Sequence, residues 1–155
     1  TRFPTPARAT GMLDAGDPAP DFFLPAAADP AAEYMLSAAA DAGPVVLAFV
    51  PEREPVARSL LDSLAGLDWA ALADRIAVFG IGGEVTASLA TDLPFPVLYD
   101  DGYVADLYGV AEPVTAGRAA LVLADQRCTI RFAWQASEPT ERPPLDDLAA
   151  AVSSL

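Results

Sequence analysis

The run Val45 to Val50, "VVLAFV", contains no polar position. A β-branched stretch that is apolar on both alternating faces predicts a central strand covered from both sides. "IAVFGI" (Ile76 to Ile81) repeats that pattern. Between the two, Val56, Leu60, Leu61, Leu64 and Leu67 recur at helical spacing and predict a helix from Pro55 to about Ala73, with proline at its first position. "DFFL" (Asp21 to Leu24) and "EYML" (Glu33 to Leu36) are short apolar runs across a proline-bounded loop and predict an early hairpin. A shorter helix is expected from Glu84 to Thr91, then a strand over Phe95 to Asp100 and a short helix over Tyr103 to Tyr108. "AALVLAD" (Ala119 to Asp125) and "CTIRFAW" (Cys128 to Trp134) predict a hairpin turning at Gln126 and Arg127. Leu145, Leu148, Val152 and Leu155 share one stripe of a closing helix, and "SEPTERPP" (Ser137 to Pro144) is the loop before it. Strands alternating with helices, then a late hairpin and a final helix, describe an α/β domain with a mixed central sheet over residues 12–155. "TRFPTPARATG" (Thr1 to Gly11) has no periodicity and is expected to be a flexible extension, Met12 being a plausible first residue.

Composition narrows the chemistry. Twenty-two acidic residues stand against 9 arginines, with no lysine, for a net charge of −13. Such a surface repels nucleic acid and anionic membrane, so neither is an expected partner. No apolar run reaches membrane-spanning length, and a cytoplasmic location is expected, the acidity suiting a high-salt cytoplasm. With no histidine and a single cysteine, Cys128, serine–histidine hydrolysis, histidine-ligated zinc and an intrachain disulfide are excluded. No metal site or cofactor is expected.

Four phrases, in order, resemble the peroxiredoxin family, the alkyl hydroperoxide reductases and thiol-specific antioxidant proteins. They are "GDPAPDFFLP" (Gly16 to Pro25), "VVLAFVP" (Val45 to Pro51), "FPVLYDDGYVADLYGV" (Phe95 to Val110) and "GRAALVLADQRCTIRFAW" (Gly117 to Trp134). The resemblance implies a thioredoxin-like, peroxiredoxin-type fold. It also implies reduction of hydroperoxides by a cysteine in Pro-x-x-x-Thr-x-x-Cys, placed where the helix after the central strand begins. There the helix N-terminus and a later arginine keep the thiolate ionised.

Carried over residue by residue, that motif fails at its centre. Pro51 matches the first proline, and Pro55-Val56 matches the pair that often precedes the cysteine. In that register Glu54 takes the threonine position and Ala57 the cysteine position; aligned from Pro51 they become Pro55 and Arg58. The acidic residue often found three places further on is Leu60 or Leu61, and only Arg118 survives, as the family's later arginine. The vestigial pocket is therefore Pro51, Glu54, Pro55, Ala57 and Arg118, with no catalytic residue in it. Loss of the nucleophile leaves binding and orientation alone, so a binding or regulatory module is expected, not a peroxidase.

Cys128 is the candidate thiol of the alternative, a thiol-dependent oxidoreductase. Strand alternation would put it on one side with Ile130, Phe132 and Trp134, away from Arg127 and Arg131, as a packed, inert side chain. Arg118 is expected to pair with Glu54 or Glu52; its other reading holds a small anion with the N–H groups of Ala57 and Arg58. "GIGGEV" (Gly80 to Val85) lacks a phosphate-loop pattern and reads as a tight turn, and Asp100-Asp101 as a solvated one. Trp69, Trp134 and Tyr103 are candidates for core or interface; a homodimer or an unidentified protein partner is expected by analogy with the fold. If the acidity is an adaptation to salt, thermal stability should climb as KCl is raised above physiological strength; a flat or falling curve would argue against it.

Overall fold

The computed structural model describes residues 12–90 and 93–155; the expected N-terminal extension and the predicted helix end at Thr91 lie outside them. Five strands form one mixed sheet in the order β5-β4-β3-β6-β7. These are β3 (Val45–Phe49), β4 (Ala77–Gly82), β5 (Val97–Tyr99), β6 (Ala120–Ala124) and β7 (Ile130–Gln135). β3 runs parallel to β4 and antiparallel to β6, with Phe49 opposite both Ile81 and Ala120. The early hairpin is a separate two-stranded sheet of β1 (Phe23–Pro25) and β2 (Glu33–Met35).

β3 divides the core by parity. Val45, Leu47 and Phe49 face one apolar cluster, with Leu36 and Ala40 of α1 (Leu36–Ala42) and Val104 and Ala105 of α5 (Tyr103–Leu107). Val46, Ala48 and Val50 face the other, with Ala57, Leu60, Leu61 and Leu64 of α2 (Glu54–Ala65) and Leu148 and Val152 of α7 (Leu145–Ser153). Burial of both faces is why this strand reads as an unbroken apolar run. Tyr108 closes the first cluster: it is fully buried, its ring lies 5.2 Å from that of Phe49, and its hydroxyl donates to the Pro20 carbonyl at 2.6 Å.

Several local expectations are corrected. The helix drawn from Pro55 to Ala73 is two helices, because α2 ends at Gly66 and Asp68 caps a separate short α3 (Trp69–Leu72) through the Ala71 N–H. Leu36 does not end a strand; it opens α1, whose Ser37 N–H donates to the Asp21 carboxylate at 2.9 Å. That cap comes from sixteen residues upstream in sequence, where no local pattern could show it. α4 (Glu84–Ser88) begins where expected but ends sooner, with Leu89 as its C-cap, and α6 (Ala111–Thr115) is a further short helix.

The last strand begins at Ile130, not Cys128, and the β6–β7 register shifts between Leu123 and Ala124. Ala124 pairs with Ile130 while Leu123 pairs with Phe132, so Arg131 is the extra residue of a bulge. Ile130 and Cys128 consequently pack with the first cluster, whereas Phe132 and Trp134 pack with the second. Trp69 belongs to the second cluster too, its indole N–H donating to the Leu64 carbonyl at 3.0 Å; Tyr103 is exposed. Among the described residues, no helix is long and apolar enough to cross a membrane. Replacing Tyr108 by Phe should cost about 1–2 kcal/mol, since it keeps the ring but strips the Pro20 carbonyl of its donor. Urea unfolding would read this; an unchanged midpoint would show that bond to be dispensable.

Candidate functional site

The chain leaves β3 at the buried Pro51 and enters α2 at Glu54. The pairing of β3 with β6 ends at Phe49–Ala120, so Pro51, two residues beyond Phe49, and Arg118, two residues before Ala120, leave the sheet at the same end. Pro51, Glu54, Pro55, Ala57 and Arg118 thus gather at one end of the sheet, but they do not make a reactive pocket. Ala57 has no exposed surface and packs with Leu60, Leu61 and Leu64 on the sheet. Arg58, the cysteine position in the other register, is exposed and pairs with Glu54 at 3.3 Å, one helical turn apart.

The first turn of α2 offers an anion fewer donors than a full helix N-terminus. The Ala57 N–H is spent on the Arg53 carbonyl at 2.9 Å, and Pro55 has none. The expected pairing of Arg118 with Glu54 or Glu52 does not occur either. Glu54 is taken by Arg58, and Glu52 reaches away to the turn before α4. Among the described residues, no carboxylate lies within ion-pair distance of the Arg118 or Arg53 guanidinium. Arg53 extends over Gly117, the residue before Arg118; a β-carbon built there would lie 3.4 Å from Arg53 Cδ and 3.9 Å from Pro139 Cγ. Gly117 has φ +86°, so its conformation calls for glycine although a β-carbon there would meet only ordinary contacts.

Glu52 was not visible as a site residue in the sequence. Its carboxylate accepts from the N–H groups of Gly83 (3.1 Å), Val85 (3.1 Å) and Thr86 (3.4 Å) and from the Thr86 hydroxyl (3.2 Å). The glycine turn "GIGGEV" is therefore filled by the protein's own anion, which satisfies the free donors that open α4. A β-carbon on Gly83 would come within 2.7 Å of that carboxylate, which accounts for the second glycine. The signal available in the sequence was the paired glycine before a helix; its partner lies some thirty residues earlier.

Asp100 does the same for α5. It is not solvated, as expected, but only 6% exposed, and accepts from the N–H groups of Val104 (3.1 Å) and Ala105 (3.0 Å). Asp101 accepts from Tyr103 N–H at 3.2 Å. Glu52, Asp100 and Asp101 share the wall of a cavity of about 390 Å³ with Phe49, Ile81 and Tyr99. Among the described residues, no group of acidic or sulfur ligands is arranged to hold a metal ion.

Cys128 lies at the opposite end of β6 from Arg118, separated by a five-residue strand rising about 3.4 Å per residue. It sits in a left-handed turn (φ 57°), with its N–H donating to the Asp125 carbonyl and its carbonyl accepting from Ala19. Arg131 is turned to Asp125 at 3.2 Å. Burial, and after it the charges of Asp21, Asp125 and Asp41, push the Cys128 thiol above its ordinary value. Its thiolate fraction at neutral pH is thus smaller than that of a free cysteine.

A model of the AhpC/TSA family matches residues 15–133. No curated protein matches the chain in sequence. Among solved structures, the peroxidoxin BcpB from Mycobacterium tuberculosis superposes with a TM-score of 0.72 at 21% identity, covering 92% of this chain and 98% of that one. A peroxiredoxin-like protein from Aquifex aeolicus gives 0.69 at 18% identity over 94% of this chain and 90% of that one. A thiol peroxidase from Chromobacterium violaceum gives 0.68 at 15%, with the same coverage of 94% and 90%. At these identities the structures speak for the fold: thioredoxin-like, as the sequence phrases implied.

Two outcomes follow from this geometry. Glu52→Ala should destabilise the protein by about 1–2 kcal/mol, the range for a lost helix cap, in chemical denaturation. A native-state alkylation rate for Cys128 should stay low through neutral pH and rise only above the pH at which a free thiol ionises; rapid labelling at pH 7 would contradict the raised thiol pKa.

Proposed function

The chain belongs to the AhpC/TSA family, and on that premise we propose that it is a peroxiredoxin-like binding or regulatory module without the family's peroxidase reaction. One observation carries this reading. The position of the reactive cysteine is a methyl group with no exposed surface, Ala57, or in the other register an exposed, ion-paired Arg58. Neither can attack a peroxide oxygen, and a covalent mechanism without its nucleophile retains only binding. The neighbouring side chains agree with that reading. Glu54, in place of a threonine, brings negative charge to the point where a thiolate would have formed, the Ala57 N–H is spent on the Arg53 carbonyl, and Pro55 has no N–H to offer.

The second reading keeps an oxidoreductase working through Cys128, and it rests on that side chain being free and partly exposed. Its raised pKa and its distance from Arg118 weigh against it. The third reading is small-anion binding at the old pocket, for which the unpaired Arg118 speaks. Peroxide consumption with a dithiol reductant, by the intact protein and by Cys128→Ser, separates the first two. We expect no turnover in either; turnover that the substitution abolishes would replace the first reading with the second.

A further inference from the structure

At the end of the sheet where β3 and β4 begin, opposite Pro51, four aromatic side chains line one cleft of about 650 Å³. They come from separate elements: Tyr34 of β2, Trp69 of α3, Phe79 of β4, and Phe95 just before β5. Phe79 and Phe95 are buried in the core, whereas Tyr34 and Trp69 are half-buried. The Tyr34 ring leans on Phe79 with centroids 5.3 Å apart. The Trp69 N–H is spent on the Leu64 carbonyl, so its indole presents only an apolar wall. A mostly apolar, aromatic-lined cleft with a few polar groups at its edge has the size and make-up of a small-molecule site.

The polar groups here are two charges of opposite sign. Among the described residues, Asp74 and Arg75 are the only charged side chains lining the cleft. Both are exposed, and neither has a hydrogen bond or an ion pair through its side chain. Their backbone is held in place. A β-carbon on Gly43 would overlap the Arg75 carbonyl oxygen, so that glycine lets the end of α1 close against it. Two residues on, the Ala77 N–H donates to the Pro44 carbonyl at 3.0 Å. A simple organic acid would meet Arg75 but be repelled by Asp74, and a simple amine would meet the reverse. A molecule bearing both charges on an aromatic body complements all three features at once.

We propose that this cleft binds a free aromatic amino acid, its ring among the four aromatic side chains, its ammonium at Asp74 and its carboxylate at Arg75. The cleft lies at the far end of the sheet from the strand-to-helix junction, so the assignment is independent of the lost peroxidase reaction. Isothermal titration at neutral pH and constant ionic strength tests it, with phenylalanine, 3-phenylpropionate, phenethylamine and glycine as probes. Phenylalanine should bind about fivefold more tightly than either singly charged analogue, the upper range for one exposed ion pair, and glycine more weakly than all three. Arg75→Ala should weaken phenylalanine and phenylpropionate by about that factor and leave phenethylamine unweakened; Asp74→Ala should do the reverse. Arg58→Ala, at the opposite end, should change none of them. Thermal unfolding without ligand checks that each variant is folded, and in Trp134→Phe the fluorescence of Trp69 should respond to phenylalanine. No binding of phenylalanine, binding that survives both charge substitutions, or glycine binding as well as phenylalanine would overturn the proposal.

Discussion

The central strand β3 has hydrogen-bonded neighbours on both edges and apolar cover on both faces, and the remaining elements are placed by it. All five of its residues are buried, and among the described residues it is the only strand paired both parallel and antiparallel. Its odd-numbered side chains recruit α1 and α5, and its even-numbered ones recruit α2 and α7. A backbone buried on two faces must find its hydrogen bonds in the sheet, so β4 and β6 are obligatory neighbours. The point where β3 runs out, at Pro51, is therefore rigid, and the strand-to-helix junction is delivered to the same place whatever side chains it carries.

Around that frame, much of the chain's acidity is spent on its own backbone. Asp21 caps α1, Glu52 fills the turn before α4, Asp100 receives the first amides of α5, and Asp125 accepts from Arg127 and Thr129 in the last turn. Each carboxylate replaces water on donors that a short helix or tight turn cannot satisfy internally. In two of these cases the pKa direction follows. Burial of Asp21 and Asp125 favours protonation, but the hydrogen bonds outweigh it and hold both below the ordinary carboxylate range. Groups of this kind contribute stability that is complete above the unfolded pKa and lost as pH falls through the folded one.

The same accounting explains why the junction keeps its shape without its reaction. Family chemistry needs a thiol at the helix start, donors to hold its charge, and an arginine beside it. Here the thiol position points into the core as a methyl group, proline has removed one donor, and Glu54 adds a charge of the wrong sign. Arg118 remains, joined by Arg53 over Gly117. What is left is a positively charged point on a strongly acidic molecule. Cys128 offers no replacement, since it sits at the far end of β6 among carboxylates that discourage its ionisation.

The amino-acid order alone determined the fold class, the central strands, the two main helix faces and the absence of a nucleophile at the junction. These depend on periodicity and residue type, which are local properties. The tertiary structure decided which charges meet. No pattern within the chain tells that Glu52 will cross to Gly83, that Asp21 will cap Ser37, or that Glu54 will leave Arg118 for Arg58. Such pairings depend on where the sheet brings distant turns together, and a charged side chain can choose among several partners at little cost. The bulge at Arg131 belongs with them, because one unpaired residue reversed the alternation that had assigned Cys128 its neighbours. The sequence thus shows that the ancestral reaction has lost its nucleophile; only the folded chain shows that, among the described residues, Arg53 and Arg118 have no carboxylate within ion-pair distance, Glu52 being committed to the turn before α4 and Glu54 to Arg58.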